Sequence, residues 1–177
     1  NIVYDNEGYG VNISAGGGSP TADRAIVRNN RIYNNGLTHS SAYGITASSG
    51  TDSIYYNNII YGNKGGILVY TDADNNKIYN NTIYGNVDEG IAMQYYTSAP
   101  LITNNIVYGN GSGIVDYGGT GTPVLTTNLT TNPLFVDSGS DNFHILTGSA
   151  AINAGTTLAA VPLDFDGLTR PQGSAYC

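Results

Sequence analysis

Residues 80–91 read NNTIYGNVDEGI, and two neighbouring stretches repeat the phrase: NNIIYGNKGGI at 57–67 and NNIVYGNGSGI at 104–114. Aligned on its second asparagine, the marks are Asn1, Asn30, Asn58, Asn81 and Asn105, with Asn128 a weaker sixth. Their spacings are 29, 28, 23, 24 and 23 residues. Three residues after the first five marks stand Tyr4, Tyr33, Tyr61, Tyr84 and Tyr108, and five residues after stand Asn6, Asn35, Asn63, Asn86 and Asn110. A glycine followed by Val or Ile comes next, at Gly10, Gly44, Gly66, Gly90 and Gly113. A period of this length marks a solenoid, whose units bury their apolar faces only by stacking on one another.

Within each phrase apolar residues alternate with polar ones in short runs between Asn and Gly turns, with no sustained helical period. A unit of about 23 residues holding three short strands and three turns is one coil of a parallel β-helix. Leucine-rich repeats have similar length but need a Leu framework that this chain lacks. Stacking at roughly 4.8 Å turns equal positions into rows along the axis. Three inward rows are expected: Val3, Ile32, Ile60, Ile83 and Val107; Val11, Ile45, Ile67, Ile91 and Ile114; Val27, Tyr55, Ile78, Ile102 and Leu125. The asparagine rows belong at turns, where Asn tolerates left-handed backbone and its amide both donates and accepts. Asn30, Asn58, Asn81 and Asn105 are therefore read as a structural ladder.

Composition agrees. The 177 residues include 24 Gly, 15 Tyr and no Trp, and only 11% are charged. That mixture favours turns and strands over helices. With six Lys and Arg and a net charge of -7, the chain has no basic face for nucleic acid, leaving neutral sugars, cations and proteins as partners. The single cysteine, Cys177, forbids an internal disulfide. No apolar run reaches membrane-spanning length. The chain starts at Asn1 without Met, so it is expected to be a piece of a longer protein. Asn12, Asn80 and Asn128 head glycosylation sequons, which arise readily in a chain rich in Asn and Thr.

After residue 128 the repeat fades into NPLFVD at 132–137, DNFHIL at 141–146, GSAAINAG at 148–155 and DFDGLTRP at 164–171. Repeat and tail together resemble the right-handed parallel β-helix repeat proteins, secreted and surface proteins of the pectate-lyase-type fold. Their carboxyl-terminal segment reads approximately DPLF, DFHL, GSPAIDAG, DxDGxxRP and GAYE. Here Asn132 replaces an Asp, Ala150 a Pro and Asn153 an Asp, and the chain stops at SAYC. The resemblance implies an all-β, right-handed parallel β-helix of about five coils over 1–128. A β-rich cap, 129–177, is expected to cover the carboxyl end of the stack. It implies no single chemistry, since such proteins include lyases, hydrolases, epimerases and adhesins.

Asp23, Asp52, Asp72 and Asp74 fall in equivalent loops of coils one to three. They read first as caps of turn amides, with a Ca²⁺ site or the paired acids of an inverting glycosidase as alternatives. Arg28, Arg31, Lys64 and Lys77 occupy unequal positions and do not converge on a lyase site, and Arg24 reads as a partner of Asp23. His39 reads as solvated, His144 as packing, Asp88 and Glu89 as a solvated turn, and Asp116 as an isolated oddity. Asp164 to Gly167 resembles the start of a calcium loop without its later ligands, and reads as a turn. Alternation aims the row Tyr4, Tyr33, Tyr61, Tyr84 and Tyr108 outward, as a structural stack or as a surface for sugars or a partner protein. No catalytic residue is assigned. The expected function is an extracellular or cell-surface structural or adhesive module in contact with polysaccharide, and the alternative is a polysaccharide lyase or glycoside hydrolase acting on acidic or neutral chains. End-to-end self-association through the amino-terminal coil, or association with other surface proteins, is a further expectation.

Overall fold

The computed structural model describes residues 1–14, 22–96 and 98–176. Coil one holds β1 (Ile2–Tyr4), β2 (Val11–Ser14) and β3 (Ile26–Arg28); coil two holds β4 (Arg31–Tyr33), β5 (Tyr43–Ser48) and β6 (Ile54–Tyr56). Coil three holds β7 (Ile59–Tyr61), β8 (Gly65–Tyr70) and β9 (Lys77–Tyr79). Coil four holds β10 (Thr82–Tyr84), β11 (Glu89–Gln94) and β12 (Leu101–Thr103), and coil five β13 (Ile106–Tyr108), β14 (Ser112–Asp116) and β15 (Val124–Thr126). Counterparts pair in parallel into three five-stranded sheets: the first from β1 to β13, the second from β2 to β14, the third from β3 to β15. This is a parallel β-helix, as the repeat predicts.

All three expected inward rows are found in register. They merge into one apolar core that includes Ile32, Ile60, Ile67, Ile83 and Ile91. A fourth inward row, Ile13, Ala47, Val69, Met93 and Asp116, completes the second sheet. The glycine before the Ile is a packing requirement in coils two to four. A Cβ on Gly66 would stand 2.1 Å from the Gly90 carbonyl oxygen and 2.7 Å from Ile83 Cγ2. Gly44 would clash in the same way with Ile60.

The asparagine ladder is continuous. Side-chain amides run from Asn1 to Asn30, Asn58, Asn81, Asn105 and Asn128, each Nδ2 donating to the next Oδ1 at 2.8–3.0 Å. A second ladder links Asn6, Asn35, Asn63, Asn86 and Asn110 at 2.7–3.0 Å. Inner members also donate to strand carbonyls, as Asn81 does to Tyr55 at 2.9 Å. These buried amides are thereby satisfied, which low-dielectric burial demands. Left-handed backbone falls instead on the first asparagine of each pair, with φ of 55° at Asn29, 51° at Asn57, 50° at Asn80 and 59° at Asn104.

Leu129 pairs with Ile106, and the chain then leaves the axis. The hairpin β16 (Phe135–Asp137) and β17 (Asn142–Ile145) and the loops after it lie back along the first sheet. The expectation that this segment covers the carboxyl end of the stack differs from its position, and Leu125 in coil five is 53% exposed. The first asparagines hold it. Asn104 exchanges two bonds with Thr156, at 2.7 and 2.8 Å, Asn57 donates to the Leu163 carbonyl at 2.8 Å, and Asn29 reaches Phe165. Arg170 returns a bond to Asn57 at 2.7 Å.

Candidate functional site

The outer face of the second sheet carries a groove of about 630 Å³. Its floor is the row Asn12, Thr46 and Leu68, outward positions of β2, β5 and β8. Leu68, Ala92 and the ring of Tyr43 form a buried apolar patch of their own. Along one edge run Ser14, Ser48, Tyr70 and Gln94, in register. Tyr95 meets the Tyr70 ring edge-on, centroids 5.7 Å apart. Along the other edge stand Tyr43, Asp88 and Glu89.

Glu89 is the chemical centre of that edge. Its carboxylate accepts from the Tyr43 hydroxyl at 2.8 Å and from the Tyr117 hydroxyl. Tyr43 pairs with Gly65, where a Cβ would lie 2.4 Å from the ring; the missing side chain lets the ring cross a whole coil to reach Glu89. Lys64 Nζ lies 3.0 Å from Asp88 Oδ1 beside them. Burial alone would raise Glu89, but the bonds from Tyr117, Tyr43 and its own backbone amide, with the nearby Lys64 charge, bring it below the usual carboxylate value. Tyr43 moves upward, first through burial and then through its bond to Glu89. At neutral pH the pair is therefore phenol donor and ionised carboxylate, and that carboxylate lines the groove with acceptor capacity to spare.

The reading of Asp88 and Glu89 as a solvated turn is corrected for Glu89, which opens β11 and is held by tyrosines from coils two and five, while Asp88 stays in the turn before it. The signal was present in sequence only as an acid at a position where sister coils have Tyr43, Gly65 and Ser112. Asp116 accepts from the buried Tyr96 hydroxyl at 2.9 Å, which ties off the fourth row.

The tyrosine row does point outward and stack, with centroids 5.1 Å apart for Tyr4 and Tyr33, 5.0 Å for Tyr33 and Tyr61, and 6.3 Å for Tyr84 and Tyr108. Its middle is the seat of the carboxyl-terminal segment. Phe143 packs 4.8 Å from Tyr61 and 5.7 Å from Tyr84, and Phe135 meets Tyr84 edge-on at 5.4 Å. Asp23 Oδ1 accepts from the Thr51 amide and hydroxyl at 2.9 Å, and Asp74 Oδ1 from the Ser98 amide at 2.7 Å, each bonding the loop of the next coil. Asp52 and Asp72 are exposed turn residues with left-handed backbone. Among the described residues no group of three or more His, Cys, Asp or Glu is placed to hold a metal ion. His144 lies 2.9 Å from Asp166 and pins the hairpin to the 164–167 turn. Of the three sequons, Asn80 is buried, Asn128 is spent in the ladder, and Asn12 is exposed at the groove.

A family model described as the right handed beta helix region matches residues 1–157. The chain belongs to this right-handed β-helix family. No curated protein matches it. Among solved structures, this β-helix is similar to the mannuronan C-5 epimerase AlgE4 A-module of Azotobacter vinelandii, with TM-score 0.56 and 24% identity over 72% of this chain and 33% of that one. It is also similar to the pectate lyase Pel9A, with TM-score 0.54 and 14% identity over 98% of this chain and 62% of that one. The chain thus spans a third of the first and under two thirds of the second, and at these identities the likeness is one of fold. No helix among the described residues is long and apolar enough to cross a membrane.

Proposed function

We propose that this β-helix is an extracellular, structural or adhesive module that holds an extended carbohydrate chain in the groove of its second sheet. The observation that carries this reading is Glu89 clamped between Tyr43 and Tyr117 at the edge of a groove whose floor holds Asn12, Thr46 and Leu68. Concave sites that combine aromatic rings with fixed polar groups suit ligands that present both C–H faces and hydroxyls. Tyr70, Tyr95 and Tyr117 supply amphipathic rings along the same face. Two fold neighbours whose names describe action on polysaccharides support the same class of ligand.

The test is isothermal titration of the chain with a panel of oligosaccharides, with and without calcium. A saturable heat is expected for at least one glycan, and Tyr70→Ala weakens it about tenfold by removing a stacking ring. No binding across the panel sinks the reading. The second reading, a lyase or hydrolase, is favoured by Asp88 and Glu89 standing together on one wall. New reducing ends or unsaturated products on incubation with the same glycans would establish it.

A further inference from the structure

Resting on the glycan-binding reading, we infer that the groove is built for a neutral glycan and selects against uronate polymers. Fixed charge is placed unevenly around the groove. Two carboxylates, Asp88 and Glu89, line the groove, and Lys64, whose ammonium bonds Asp88 at 3.0 Å, is the cation beside them. The other five Lys and Arg residues lie elsewhere. Arg28 bonds the Tyr56 hydroxyl on the third sheet at 3.0 Å, and Arg31 bonds the Asp141 carbonyl at 3.1 Å. Arg170 bonds Asn57 at 2.7 Å, Lys77 opens β9 of the third sheet, and Arg24 stands in the turn before β3.

Holding a carboxylate-bearing sugar calls for an arginine fork or a lysine ammonium aimed at it. A uronate chain entering here meets instead an ionised Glu89, and like charges brought together in a partly desolvated groove repel. Neutral sugars meet the opposite situation. Their hydroxyls are donors, and Glu89 is an ionised acceptor, the pairing that gives short and strong bonds. The remaining lining groups, among them Asn12, Ser48 and Gln94, are uncharged and serve hydroxyls in either sense.

The experiment compares the intact chain and Glu89→Gln by titration against neutral hexasaccharides (β-1,4-glucan, β-1,4-mannan, β-1,4-xylan) and uronate hexasaccharides (oligogalacturonate, oligomannuronate) at low salt. At least one neutral chain is expected to bind about tenfold more tightly than either uronate. Glu89→Gln removes the charge at constant size, keeping an acceptor for one tyrosine and turning an amide donor toward the other phenol oxygen; a retained melting temperature checks its fold, and it narrows that ratio. A uronate binding as tightly as every neutral chain, or a ratio unmoved by Glu89→Gln, overturns the neutral-glycan inference and leaves the glycan-binding reading standing. Binding of neither class overturns both.

Discussion

The phenol of Tyr43 in coil two passes over Gly65 in coil three and donates to Glu89 in coil four across 2.8 Å. One absent side chain thus determines where a carboxylate is held. Gly65→Ala puts a methyl 2.4 Å from the Tyr43 ring and forces the ring to move. Overpacking of this kind costs about 1–3 kcal/mol. Chemical denaturation is expected to show that loss, and glycan titration a matching loss of affinity. Unchanged stability with unchanged binding would remove Gly65 from the account.

The inward glycine row gives a test with its own control. Gly66→Ala meets the Gly90 backbone and Ile83 at 2.1 and 2.7 Å, whereas Gly113 in the last coil has nothing within 4 Å of its would-be Cβ. Gly66→Ala should destabilise by about 2 kcal/mol or more, and Gly113→Ala should be close to neutral. Equal midpoints in urea for the two variants would contradict the packing explanation.

Tyr55 fills a core position that sister coils give to Val27, Ile78 and Ile102. Its hydroxyl is buried, with Ser53 as its polar neighbour and no well-formed hydrogen bond. An unsatisfied buried hydroxyl costs about 1–3 kcal/mol, so Tyr55→Phe should raise stability by around 1 kcal/mol. A fall in the urea midpoint would show that the hydroxyl has a partner.

Alkaline titration separates the tyrosines. Burial and the bond to Glu89 raise Tyr43, burial pushes Tyr55 up to about 12, and burial with the Asp116 bond pushes Tyr96 up to about 12. A folded value above the unfolded one means that the folded chain holds the proton more tightly. The resulting stability is full below about pH 10 and is lost as pH rises through the folded values. Ultraviolet titration should therefore find a late class of tyrosinates that forms only with unfolding, and Tyr55→Phe should remove one member. Glu89 has the opposite sign: its depressed value contributes above the usual carboxylate range and is lost as pH falls through the folded one. A single phenol transition in an intact fold would contradict these assignments.

The core and the ladders were legible because identity repeats there. Ile32, Ile60 and Ile83 share a position, as do Asn58, Asn81 and Asn105, and a fixed period aligns them without any structure. The groove was not legible for the opposite reason. Tyr43, Gly65, Glu89 and Ser112 share a register but differ in type, and their cooperation depends on how far one ring reaches across an empty position. The docking of 129–176 was hidden likewise. Asn29, Asn57 and Asn104 look like turn residues in sequence, and only the fold shows their amides meeting Phe165, Leu163 and Thr156 more than fifty residues away. The tyrosine row was read correctly in direction and stacking, but its cover, Phe143, lies outside the repeat.

The central claim is that the outer groove of the second sheet receives the ligand. Amide NMR during titration with a neutral hexasaccharide tests it most directly. Saturable shifts are expected at Thr46, Leu68, Tyr70, Glu89 and Gln94, all lost in Tyr70→Ala at the same ligand concentration. Saturable shifts confined to Tyr4, Tyr33 and the carboxyl-terminal segment, or none anywhere, would contradict it.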